Sequence, residues 1–128
     1  MKLLESGEMY LETILILSKQ MKRVHAVDIA DYMGFSKPSV SRGLARLKAN
    51  DYILVKENCN CIWLTEKGKE VAERIYERHV VITEMLLHVG VSPETAAEDA
   101  CKIEHDMDEE VFDAIKAYVE AKPSSLKK

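Results

Sequence analysis

Apolar side chains at Met9, Leu11, Ile14, Leu15 and Leu17, and one turn on at Met21, recur at helical spacing and predict a first helix over Gly7 to Gln20. Lys22 and Arg23 close it with positive charge near the negative end of its dipole. Val27, Ile29, Ala30 and Met33 predict a short second helix that Gly34 stops, and Ser36 then caps a third. Pro38 sits in the first turn of that third helix, where a missing amide proton does no harm. Its inward stripe is Val40, Leu44 and Leu47, which leaves Lys37, Ser39, Ser41, Arg42, Ala45, Arg46 and Lys48 outside. After Asn50 and Asp51 the period falls to two. Tyr52, Leu54 and Lys56 alternate with Ile53, Val55 and Glu57, NCNC makes a tight polar turn, and Ile62, Trp63 and Leu64 return as the second arm of a β-hairpin. Thr65 caps a long helix that Gly90 ends, with Val71, Ile75, Val80 or His79, Ile82 or Met85, and Leu86 inward. Ser92 and Pro93 open a fifth helix reaching to about His105, and Asp108, Glu109 and Glu110 open a sixth carrying Val111, Phe112, Ile115 and Val119. The tail PSSLKK reads as frayed.

This order predicts a mainly α fold with a small β-wing. Helix, helix, turn, helix and a two-stranded wing make a winged helix-turn-helix over residues 1–72, followed by a helical domain over residues 73–128. Composition agrees: of 128 residues, 47% are apolar and 31% charged, as in a globular protein, and 6% aromatic with five Gly and three Pro implies an aliphatic, helical core. No apolar run approaches the roughly 20 residues of a membrane span, and the amino terminus lacks the cleavage pattern of a signal peptide, so a cytoplasmic protein is expected. Three cysteines are odd in number and too few to staple such a chain, so they are expected as thiols or ligands rather than disulfides.

Charge separates the halves. Residues 1–72 hold 11 Lys and Arg against 9 Asp and Glu, and residues 73–128 hold 7 against 13. Within residues 19–56, eight basic side chains face three acids. A helix with a small, basic and hydroxylated outer face fits the major groove, so Ser36, Lys37, Pro38, Ser39, Ser41 and Arg42 are the candidate DNA-binding residues. Arg42 suits a bidentate contact to guanine, and Ser36, Ser39 and the Pro38 ring suit phosphate or a thymine methyl. Solvated surface polarity is the competing reading.

The acidic half contains ACKIEHDM, which puts Cys101, Glu104 and His105 at i, i+3 and i+4, on one helical face. A thiolate, a carboxylate and an imidazole together can capture a first-row divalent cation if another element adds a donor. Cys59 and Cys61 form a C-x-C in the wing turn that could bind metal or sense oxidants, but two thiols alone are an incomplete site. His25 and His88 have no neighbours at ligand spacing and read as ordinary histidines.

EMYLETI, IADYMGFSKPSVSRGLARL, LTEKGKEVAERIYERHVV and DACKIEHDMDEEV together resemble the iron- and manganese-dependent repressors typified by the diphtheria toxin repressor and the manganese transport regulators. That resemblance implies a dimerisation and metal-binding role for residues 73–128 and a DNA-binding role for residues 1–72. It implies a primary metal site at Met9, Cys101, Glu104 and His105, and a neighbouring one at Glu12 and His79. Thr83 stands where a ligand carboxylate is common, and Ala97 where one branch has a histidine. In length the chain looks like the two-domain manganese regulators, although Met9 and Cys101 replace the carboxylates usual there.

The reading is therefore a non-enzymatic, homodimeric repressor that binds double-stranded operator DNA when metal-loaded and controls metal-ion homeostasis genes, with the metal between the domains. It needs no membrane and no small-molecule substrate. Thioether and thiolate donors favour Fe(II) over Mn(II), with Mn(II) the alternative. Dimerisation is expected from apolar excess at Val80, Val81, Ile82, Met85, Leu86 and Leu87. The rivals are a winged-helix regulator sensing an oxidant or organic ligand through Cys101, and a small metalloenzyme, for which the sequence offers no nucleophile elbow or H-E-x-x-H.

Overall fold

Local stop and start signals set the first three helices of the computed structural model, which describes residues 5–121. Helix α1 spans Glu5–Ser18, α2 Ala26–Met33 and α3 Lys37–Ala49. Gly34 ends α2 at φ 71°, a left-handed conformation that glycine adopts without a Cβ penalty, and its N–H donates to the Ala30 carbonyl at 2.9 Å. Ser36 Oγ then accepts the Ser39 N–H at 3.3 Å and caps α3. Val40, Leu44 and Leu47 are buried, as their spacing requires. Against them α1 buries Tyr10, Leu11, Ile14, Leu15 and Leu17. α1 begins and ends two residues earlier than the periodicity predicts, and at its end Gln20 and Met21 already bond back to Leu17 in a closing turn.

The wing pairs β1, Ile53–Lys56, with β2, Cys61–Leu64, antiparallel, with Ile53 opposite Leu64 and Lys56 opposite Cys61. Ile62 donates its N–H to the Val24 carbonyl at 2.8 Å, so the linker between α1 and α2 adds a bridge to the hairpin edge. Alternation works as expected: Ile53 and Ile62 are buried while Leu54 and Trp63 face solvent. The expectation that the cysteines are thiols or ligands rather than disulfides is corrected here for Cys59 and Cys61. Asn60, at φ 56°, turns the chain tightly enough to bring Cys59 and Cys61 together, and they form a disulfide.

Thr65 links wing to helix. Its hydroxyl donates to the Asp51 carbonyl at 2.7 Å and accepts the Gly68 N–H at 3.1 Å, capping α4, Glu66–His88. The chain divides into two compact units within this helix, Met1–Glu73 and Arg74–Lys128.

In the second unit, α4 is followed by α5, Pro93–Ile103, and α6, Glu109–Glu120. Ile75, Ile82, Ala96, Ala100, Phe112 and Val119 are its buried apolar residues. Arg78 is buried with them. Its Nη1 donates to the Glu104 carbonyl at 3.0 Å and the Met107 carbonyl at 2.7 Å, its Nη2 reaches Glu109 Oε1 at 3.0 Å, and the guanidinium lies over the Phe112 ring. α5 stops at Ile103 instead of running to His105, and the turn that follows it is held by Arg78 through the Glu104 and Met107 carbonyls. These bonds also reverse part of the expected inward stripe of α4, since Arg78 points in while Val80 is 41% exposed. Val111 is exposed as well, so Phe112 and Val119 carry the inner face of α6. Glu77 accepts a hydrogen bond from Lys116 at 2.6 Å and holds that ammonium above its ordinary pKa. The PSSLKK tail lies outside the described residues.

Candidate metal centre and nucleic-acid interface

The metal-ligand types expected from the sequence converge in the second unit on one carboxylate. Glu104 occupies the C-cap of α5 in right-handed helical conformation, its N–H bonded to the Ala100 carbonyl at 2.9 Å and its own carbonyl held by Arg78. Its side chain has no exposed surface. Oε1 lies 3.0 Å from His79 Nδ1, and Oε2 lies 3.3 Å from His105 Nε2, whose side chain is equally buried. A buried carboxylate needs positive charge close by, and a carboxylate with two imidazoles is a donor set that first-row divalent cations accept. Thr83, one turn beyond His79 on α4, has a buried hydroxyl with no hydrogen-bond partner among the described residues. A helix puts residues four apart on one face, so that hydroxyl shares the face of His79. The residues present thus fit a divalent cation.

Cys101 lies in the last turn of α5, half-buried and outside any disulfide. The one-face argument holds for its helical position only in part, because Glu104 is at the cap and His105 in the turn beyond. Glu104 and His79, which the family likeness assigns to two separate sites, share an interaction. In the first unit, Met9 is half-buried and Glu12 buried, both on α1. Ala97 is exposed on α5.

Sequence reasoning missed Arg78. An arginine usually reads as solvent-facing, yet here it organises the backbone of Glu104 through Met107, the segment that carries the two donors at 104 and 105. The available signal was its place three residues after Ile75 and four before Ile82, on their buried face.

The DNA-facing candidates lie together at the start of α3. Ser36, Lys37, Pro38, Ser41 and Arg42 are exposed and Ser39 is half-buried. Ser36 Oγ donates to Ser39 Oγ at 2.9 Å, and Arg42 Nη2 donates to the same oxygen at 3.4 Å, which steadies the side chains before any ligand arrives. Tyr10 supports this end from behind, its hydroxyl donating to the Ser39 carbonyl and its ring meeting Phe35 edge-on. A Cβ on Gly43 would fall on the Tyr10 ring, so close approach of α1 and α3 requires glycine there.

Known protein families match both halves of the chain. Residues 2–58 match the model of the iron dependent repressor N-terminal DNA binding domain, and residues 65–124 that of the iron dependent repressor metal binding and dimerisation domain. The chain is 34% identical over 111 residues to the transcriptional regulator MntR of Escherichia coli O6:H1, covering 87% of this chain and 71% of that one. It is 30% identical over 118 residues to an HTH-type transcriptional regulator of Methanocaldococcus jannaschii, covering 91% and 94% respectively. Among solved structures, that of the manganese regulator SloR superimposes with a TM-score of 0.80 at 26% identity, over 91% of this chain and 54% of that chain, so this chain spans about half of SloR. Winged helix and family together define a metal-dependent transcriptional repressor, a class that is not enzymatic. The chain belongs to the iron-dependent repressor family of the diphtheria toxin repressor and MntR type. No helix among the described residues is long and apolar enough to cross a membrane.

Proposed function

We propose that this chain acts in the cytoplasm as a homodimeric repressor that binds double-stranded operator DNA when loaded with Fe(II) and controls metal-ion homeostasis genes. The observation that carries the reading is the fully buried Glu104 carboxylate between the imidazoles of His79 and His105. In our assignment Met9, Cys101, Glu104 and His105 hold the activating ion, and Glu12 and His79 serve a neighbouring position. A divalent cation there supplies the positive charge that a buried carboxylate requires. The protein's own part is to keep the donors aimed: Arg78 fixes the turn after α5 through two carbonyls, and α4 presents His79 to Oε1. Thioether and thiol donors support Fe(II) over Mn(II), because ligand softness separates these ions. Mn(II) is the second reading, supported by the likeness to the manganese regulator SloR.

Residues 1–72 form the DNA-binding domain of this proposal, reading the operator with Ser36, Lys37, Pro38, Ser39, Ser41 and Arg42. Residues 73–128 form the dimerisation and metal-binding domain. Dimerisation is supported by apolar surface that the second unit leaves uncovered: Val80, Val89, Val111 and Tyr118 are exposed, and Val81, Met85, Leu86 and Leu87 half-buried. Ile82 is excluded from that surface, being wholly buried in the core.

Anaerobic operator-shift titration against Fe(II), Mn(II), Co(II), Ni(II) and Zn(II) tests the reading. Fe(II) is expected to activate at the lowest concentration, and Glu104→Gln to raise the requirement at least about 10- to 100-fold. Met9→Asp with Cys101→Glu should move the preference toward Mn(II). Arg42→Ala should weaken operator binding by about 1–3 kcal/mol without changing metal affinity. Operator binding that survives chelation would overturn metal activation and favour an oxidant or organic effector acting at Cys101.

A further inference from the structure

A second cluster of reactive groups sits in the wing turn of the first unit. Cys59 and Cys61 are bonded there, and His25, the residue that precedes α2, reaches the same turn from across the hairpin edge. His25 Nε2 lies 3.1 Å from the Cys59 carbonyl and 3.9 Å from Cys61 Sγ. A carbonyl can only accept, so Nε2 carries the proton. Nδ1 faces Asp28 Oδ2 at 3.6 Å. The two sulfurs differ in access, Cys59 being half-buried and Cys61 only 1% exposed. A bond between residues two apart closes so small a loop that it restricts the unfolded chain little, and β1 and β2 stay in register through their own pairing. The bond can therefore open without unfolding the unit.

We propose that Cys59 and Cys61 form a thiol–disulfide exchange site for low-molecular-weight thiols and disulfides of the glutathione class. In reduction, a small thiolate attacks the accessible Cys59 Sγ and forms a mixed disulfide. The Cys59–Cys61 bond breaks, its electron pair leaves on Cys61 Sγ, and that sulfur takes the Nε2 proton of the His25 imidazolium, leaving a neutral ring that solvent reprotonates. A second small thiolate then attacks the outer sulfur of the mixed disulfide, releasing Cys59 and one small disulfide. Two electrons pass from two small thiols to the protein disulfide, and oxidation reverses every step. This site is independent of the metal reading.

The test equilibrates the full chain anaerobically in glutathione buffers, alkylates it and maps the peptides, so that Cys101 is counted apart from the wing. The ratio of dialkylated to bonded wing peptide should rise about tenfold for each tenfold rise in [GSH]²/[GSSG], as the two-thiol stoichiometry requires. Trp63, the sole tryptophan and two residues beyond Cys61 on β2, should change its emission with the same midpoint. His25→Gln keeps a donor toward the Cys59 carbonyl but has no proton to transfer, and should slow reduction about tenfold. Two alkylated wing thiols at every buffer ratio, stable mixed disulfides, or stoichiometric zinc retained by the reduced wing would overturn the exchange site. An unchanged reduction rate in His25→Gln would overturn the role given to the imidazole.

Discussion

The first unit is filled by Leu11, Ile14, Val24, Ile29, Val40 and Ile53, each almost wholly out of solvent, with Glu12 its one buried charge among the described residues, whereas the second buries Arg78 and Glu104 together with Ile75, Ile82, Phe112 and Val119. Apolar packing of the first kind is indifferent to ions and direction. A centre built on a guanidinium, a carboxylate and imidazoles is conditional, because each buried charge costs several kcal/mol unless a partner compensates it. Units of this size bury a limited share of their surface, and small cores commonly recruit a metal or a second subunit. The contrast assigns the two units different jobs: a rigid platform that presents α3, and a responsive unit whose order depends on what occupies its polar centre.

The comparison can be broken most severely at Ile29, wholly buried on α2. Ile29→Ala should cost about 2–5 kcal/mol in urea denaturation, through lost burial and the cavity left behind, with metal affinity unchanged. A matching loss of metal affinity would show that the platform and the responsive unit are not separable. Arg78→Met should cost less, about 2–3 kcal/mol, because it leaves two carbonyls without their donor while roughly conserving volume. Amide exchange should localise that loss to residues after Glu73, and calorimetry should find weaker cation binding; loss of protection in α3 instead would contradict the division of labour. Ser36→Ala removes the α3 cap and the exposed Ser36–Ser39 hydroxyl bond and should cost about 1 kcal/mol. Thermal melting reads this, and Ser36→Asp should restore it. The smallest expected effect is at Lys116. Glu77 raises its folded pKa above 10.5, so the pair's contribution is fully present below that value and fades as pH rises through the higher folded pKa. Lys116→Met should flatten this shallow alkaline limb in pH-dependent melts, and an unaltered limb would remove the pair from the stability of the second unit.

Local chemistry made much of the fold legible. The cap at Ser36, the stop at Gly34, the Thr65 start of α4 and the change of period after Asp51 act within a few residues, so the winged helix follows from neighbours along the chain. Glu104 and His105 were readable as donors from their spacing, His79 only through the family likeness, and the polar face of α3 from its periodicity. What only tertiary structure decided is who meets whom. His79 and Glu104 are 25 residues apart, and their 3.0 Å contact depends on how α4 and α5 pack. Arg78 was hidden because charge usually signals exposure, and its burial is tolerable only where two carbonyls and Glu109 converge on it. The same convergence holds the turn after α5 that carries His105. In the wing, the C-x-C spacing announced two sulfurs, but their bonding and the approach of His25 needed the turn at Asn60 and the edge bridge from Val24. Periodicity is a property of adjacent residues. Coordination is a property of distant ones, and it exists only once packing has brought them together.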